Sequence, residues 1–232
     1  WEWHGIIGDK GTRMIENPGK MPGTKFFPDA TLNYAENMLS FDDRLRDIPA
    51  LIAHGEDGRR TVLSRVDLRD KVLRLAGWMR ARGVIKGDRV AGYVPNSEIA
   101  LIAMLASASL GAIFSSCSPD FGITGVTDRF GQIEPKILIS INGYHYNGKI
   151  IDKREVVAQL VDALPSIEAV LIDFYLDDYR DISMIRAASV FADALTHAPL
   201  DSFVRVGFND PLFILYSSGT TGAPKCIVHS VG

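Results

Sequence analysis

The 232-residue chain is 47% apolar and 23% charged, with a net charge of −3; it can bury a sizeable core as one large domain or two small ones. The charge is spread along the sequence, with no basic block to favour nucleic acid and no acidic tail. The two cysteines, Cys117 and Cys226, lie far apart without CxxC spacing, which argues against a disulfide framework or a structural zinc and for a reducing, cytoplasmic setting. The most apolar stretch, Ile99 to Phe114, is short for a membrane span and is interrupted by Ser107, Ser109 and Gly111; it reads as a small-residue helix buried in a core.

Residues 1–40 are expected to form an irregular segment punctuated by glycine and proline, with a short helix from Asn33 to Leu39. Ala50–Ala53 and Arg60–Leu63 flank the turn-forming run Gly55-Glu56-Asp57-Gly58 and predict a hairpin. A helix follows over Arg65 to Arg82. Ser64 and Asp67 make a capping-box start, Leu68, Val72, Leu75 and Met79 recur at helical spacing, and Gly83 supplies the stop. Val90 to Val94 reads as a strand, Ser97 to Leu110 as a helix, Ala112 to Ser115 as a strand, and Gly122 to Ile133 as a helix.

Next come a strand from Lys136 to Ile141, a hairpin around Asn147-Gly148, a helix opened by Asp152 to Glu155 and ended by Pro165, and a strand from Ala169 to Asp173. Residues 175–210 give a weaker pattern, read as one helix around Ile182 to Leu195. Leu212 to Tyr216 is a buried strand. This alternation, with continuously apolar strands, predicts an α/β fold over residues 41–232: a mainly parallel, doubly wound sheet with flanking helices. Ligands of such sheets bind off the carboxyl ends of the strands.

The last strand runs into Ser217-Ser218-Gly219-Thr220-Thr221-Gly222-Ala223-Pro224-Lys225. Gly219 and Gly222 allow a tight bend and close backbone approach, successive N–H groups can form an anion nest, and the hydroxyls of Ser217, Ser218, Thr220 and Thr221 add donors. Lys225 supplies a positive charge, and charge-assisted hydrogen bonds are about twice as strong as neutral ones. These residue types together suit the phosphates of a nucleotide. The same composition also suits a polar turn between two hairpin strands. A Walker A loop does not fit: Ala223 and Pro224 separate Gly222 from Lys225, Cys226 stands at the Ser/Thr position, and Ile227-Val228 favour a strand over a helix. A serine nucleophile lacks its G-x-S-x-G elbow.

The loop resembles the phosphate-binding signature of the adenylate-forming superfamily, which holds acyl-CoA synthetases, luciferases and peptide-synthetase adenylation domains. Leu32-Asn33-Tyr34-Ala35-Glu36-Asn37 is similar to the short-chain branch, with its acetyl- and propionyl-CoA synthetases. Phe114 to Gly122, Asp128 to Lys136, Tyr144 to Lys149 and Lys225 to Ser230 are more similar to the acetoacetyl-CoA synthetases. The resemblance implies an acid–thiol ligase that joins acetoacetate to ATP, releases pyrophosphate, and passes the acyl group from AMP to coenzyme A. It implies that Ser217, Ser218, Gly219, Thr220, Thr221, Gly222 and Lys225 hold the ATP phosphates, and it makes His229 a candidate acyl-pocket residue.

It further implies that the adenosine contacts, the Mg2+ ligand and the lysine of a mobile C-terminal domain lie beyond Gly232. No catalytic residue is then expected here, and 41–232 is an incomplete AMP-binding (adenylation) domain. Trp1 in place of Met leads to the expectation that residues are missing upstream too. Another short-chain acyl-CoA ligase, and a catalytically silent nucleotide-binding module, are the alternatives. Cys117 and Cys226 are expected to be buried, inert thiols.

Overall fold

A computed structural model describes residues 1–217, 222 and 224–232. Its centre is a seven-stranded sheet. The strands, labelled within this sheet alone, are β1 (Arg89–Tyr93), β2 (Ile113–Cys117), β3 (Ile137–Ile141), β4 (Ala169–Asp173), β5 (Ala188–Val190), β6 (Pro211–Ser217) and β7 (Lys225–Ser230). Their spatial order is β5-β4-β3-β1-β2-β6-β7. All neighbours pair in parallel except β6 with β7, which form an antiparallel hairpin. The predicted mainly parallel α/β sheet is present.

The helices are α1 (Tyr34–Met38), α2 (Arg65–Ala81), α3 (Glu98–Ser109), α4 (Ile123–Phe130), α5 (Arg154–Ala163) and α6 (Phe191–Ala194). Continuously apolar strands need cover on both faces, and β3 shows why. Ile137, Ile139 and Ile141 enter one core with Leu75 and Met79 of α2 and Ile102 of α3. Leu138 enters the other core with Val126 and Phe130 of α4 and Val157 and Leu160 of α5. All five β3 residues are buried. Successive strand side chains alternate faces, so one short apolar run serves both layers.

Local chemistry sets the helix ends. Ser64 and Asp67 form the predicted capping box: Ser64 Oγ accepts from Asp67 N and Asp67 Oδ2 accepts from Ser64 N, each at 3.2 Å. Gly83 adopts φ +74°, and the amide of Val84 donates to Met79 O, which closes α2 as a Schellman turn. In α3 the buried Ser107 and Ser109 donate to Ala103 O and Leu105 O at 2.8 Å, so their hydroxyls cost little inside the core.

Asn33 ties the N-terminal segment to the sheet layers. It is buried; its Oδ1 caps α1 through Glu36 N, and its Nδ2 donates to Ala108 O and Val204 O at 2.7 and 2.8 Å. Nearby, Gly8–Asp9, Thr31–Leu32 and Val206–Gly207 form a small antiparallel sheet.

The expected helix over Ile182 to Leu195 is not formed. Asp181 Oδ1 accepts from Ser183 N at 3.0 Å, and Ala187 sits at φ +57°. The chain then enters β5, leaving only Phe191–Ala194 helical. Backbone pairing with β4 wins over helical periodicity in this stretch.

Candidate functional site

Because β1, β2, β3, β4 and β6 run parallel, their carboxyl ends share one edge of the sheet. The sequence-predicted loop begins at that edge. Ser217 ends β6, Lys225 begins β7, and the two face each other as the last pair of the hairpin. Ser218, Gly219, Thr220, Thr221 and Ala223 lie outside the described residues. Gly222 is exposed at φ +110°, a conformation that favours glycine. Lys225 is exposed. A hairpin connection is thus the geometry here, and it is common to the phosphate reading and the plain-turn reading.

Alternation along β7 puts Lys225, Ile227 and His229 on one face, and Cys226 and Val228 on the other. His229 is exposed and paired with Phe213, so it is not a histidine packed within the fold. Cys117 is buried, and burial pushes its thiol up to about 11 although Arg129 opposes this. Cys226 is only half-buried, which corrects the expectation of two buried thiols.

The base of the loop is held from the α4 side. Tyr216 is half-buried; its hydroxyl lies 3.1 Å from Ser115 Oγ and 3.3 Å from the Arg129 carbonyl, and burial pushes it up to about 12. The Arg129 guanidinium stacks over Phe121 at 4.4 Å and near Tyr216 at 5.8 Å. Gln132 Nε2 donates to Pro224 O at 2.9 Å.

The strand order reverses between β1 and β3, the position where ligands of such sheets settle. A cleft of about 320 Å³ opens along this same edge, lined by Asn96, Ser118, Asp120, Tyr144, Tyr146 and Tyr175 among others. Asp120 is its polar centre. Tyr144 Oη donates to Asp120 Oδ1 at 2.6 Å and Ser118 Oγ donates to Oδ2 at 2.8 Å. These bonds, with Lys153 nearby, hold the Asp120 carboxyl below its usual range. Burial first, then Asp120, pushes the Tyr144 phenol up.

Lys153 Nζ sits 3.5 Å from Tyr93 Oη and over the rings of Tyr93 and Tyr144, at 5.8 and 5.7 Å. Burial lowers its pKa against the pull of Asp120. Asp120, Ser118 and the tyrosines give the cleft a carboxylate and hydroxyls suited to orienting a polar ligand, whereas Tyr93 is fully buried and its hydroxyl donates to Phe121 O at 2.7 Å. Residue-by-residue reading missed this cluster, because Tyr93, Asp120, Tyr144 and Lys153 come from four segments. The signals were the stretches Phe114–Gly122 and Tyr144–Lys149, singled out only by resemblance.

The family model described as "AMP-binding enzyme" matches residues 41–232. The chain belongs to this family. It is 42% identical over its whole length to acetoacetyl-CoA synthetase of Macaca fascicularis and 43% identical to acetoacetyl-coenzyme A synthetase of Rhizobium meliloti. Among solved structures it matches acetoacetyl-CoA synthetase from Streptomyces lividans with a TM-score of 0.92 at 39% identity, over the whole of this chain. It spans 36%, 35% and 35% of those three proteins respectively. Among the described residues, no group of three or more His, Cys, Asp or Glu side chains is placed to hold a metal ion, and no helix is long and apolar enough to cross a membrane.

Proposed function

We propose that this chain is an N-terminal part of a cytoplasmic, AMP-forming acetoacetate–CoA ligase, with residues 41–232 belonging to its adenylation domain. The observation that carries the reading is the identity of at least 42%, over the whole chain, to the two acetoacetyl-CoA synthetases above; the place of Ser217 and Lys225 as the closing pair of the β6–β7 hairpin at the ligand edge of the sheet agrees with it. A carboxylate resists nucleophiles because of its negative charge. Transfer to the α-phosphate of ATP turns it into an acyl-adenylate with a good leaving group. The thiol of coenzyme A then displaces AMP and leaves the thioester.

In this proposal Ser217, Ser218, Gly219, Thr220, Thr221, Gly222 and Lys225 grip the β- and γ-phosphates, and they stabilise negative charge on the departing pyrophosphate. His229 lies on the Lys225 face of β7 and is assigned to the acyl side of the site. Mg2+ would shield phosphate charge, with its protein ligand, the adenosine contacts and a mobile C-terminal domain supplied by the rest of the protein.

The test is Lys225→Ala in the full-length protein. Adenylate formation, read by ATP–pyrophosphate exchange, should fall by about 100-fold, the scale of losing one charge-stabilising donor. Thioester formation from supplied acyl-adenylate should change little. Equal loss in both half-reactions would refute a pyrophosphate role.

A further inference from the structure

Gln132 follows α4 and is exposed, yet its side-chain amide is fully committed. One N–H reaches Asp128 O at 2.6 Å, in the last turn of α4. The other donates to Pro224 O at 2.9 Å, across the gap to the hairpin. Its Oε1 accepts from the Cys226 thiol at 3.6 Å. One planar group therefore holds the residues on both sides of Lys225. Cys226 and Lys225 point to opposite faces of β7, so this grip leaves the lysine free to project toward the other face.

A primary amide is the side-chain group that supplies two donors and an acceptor in one plane. Glutamate keeps the shape and the acceptor but has no donor for either carbonyl. Alanine removes the contact altogether.

We propose that Gln132 is a positioning residue that fixes the return of the chain into β7 after the phosphate-gripping loop, and with it the location of the Lys225 ammonium. This rests on the assignment of Lys225 to the phosphates. The chemistry it serves is adenylate formation, not thioester formation. Its effect passes through Lys225, because Gln132 reaches the backbone before that residue and the side chain after it.

The test uses the full-length protein and the variants Gln132→Ala, Gln132→Glu, Lys225→Ala and both doubles with Lys225→Ala. Three quantities are read: acetoacetate-dependent ATP–pyrophosphate exchange, thioester formation from supplied acetoacetyl-adenylate, and the rate of Cys226 labelling by a maleimide. Loss of one hydrogen-bonded anchor should lower exchange about five- to tenfold in either single variant. In Gln132→Ala, Cys226 labelling should rise by a similar factor; in Gln132→Glu it should not rise, because the carboxylate keeps the acceptor and disfavours the thiolate. The thioester step should stay within about twofold in both. In the Lys225→Ala background the further loss from changing Gln132 should shrink to less than about twofold, since coupled residues do not add.

Unchanged Cys226 labelling in Gln132→Ala would overturn the anchor. The same loss with and without Lys225, or an equal loss in the thioester step, would overturn the positioning role. If Lys225→Ala alone leaves exchange intact, the phosphate assignment fails, and this proposal falls with it even where labelling rises.

Discussion

Replacing Asn33 with alanine tests how the N-terminal segment is fastened to the sheet layers. The side chain is buried, caps α1 through Glu36 N, and satisfies Ala108 O and Val204 O. Loss of the cap costs about 1 kcal/mol. Loss of a buried amide's bond to a carbonyl costs about 1 kcal/mol or more. Ala108 O keeps a bond from Gly111 N at 3.0 Å, so only the Val204 contact carries the full penalty. The expected total is about 2–3 kcal/mol. With a urea slope of about 2–3 kcal/mol/M, the midpoint should fall by about 1 M. Urea unfolding followed by amide exchange in α1 and at the end of α3 reads this directly. Asn33→Ser, which keeps only the capping oxygen, should recover about 1 kcal/mol of the loss. A shift below about 0.5 kcal/mol in Asn33→Ala would refute the reasoning, because it would leave the α1 cap and the Val204 carbonyl indifferent to the loss of Asn33.

Two further outcomes follow from the same packing. Gly77→Ala in α2 puts a methyl against the Ala198 carbonyl oxygen; it should destabilise by about 2 kcal/mol by thermal or urea melting, despite the helix preference for alanine. Asp173, at the end of β4, is raised to about 6 by burial and by Glu98, with Arg59 opposing. The folded state therefore holds this proton more tightly than the unfolded one, and the penalty for ionising it grows as pH rises from about 4 to about 6. Asp173→Asn should remove that penalty, stabilising the protein by about 2–3 kcal/mol at pH 7 and little at pH 4. Melting curves at the two pH values check it, and an equal effect at both would contradict the burial argument.

Much of the sheet was legible because its signals are local. Ile137 to Ile141 reads as a buried strand from composition alone, and the Ser64/Asp67 pair marks the start of α2 within one turn. The limits of prediction appear between residues 175 and 210. There Ile182 and Ile185 stand three residues apart, as on one helix face, but Ala187 turns the chain and β4 offers a parallel edge. That competition is tertiary and leaves no periodic trace.

For the loop after Ser217, residue types alone motivate the proposal of an anion cradle. Its setting in a β6–β7 hairpin was implied only by the β-branched Ile227 and Val228. The Asp120–Tyr144–Lys153 cluster was not legible, since it exists only where β1, β2 and the hairpin at Gly143–Asp152 converge. Gln132 was equally hidden: an exposed glutamine after a helix has no sequence signature until Pro224 is placed beside it.

The most direct measurement is acid-dependent exchange of labelled pyrophosphate into ATP by the full-length protein, with acetoacetate, acetate and propionate compared. Exchange should show its highest kcat/KM with acetoacetate. A clear preference for acetate or propionate would make the protein another short-chain acyl-CoA ligase, and ATP binding without exchange on any acid would contradict adenylate chemistry itself.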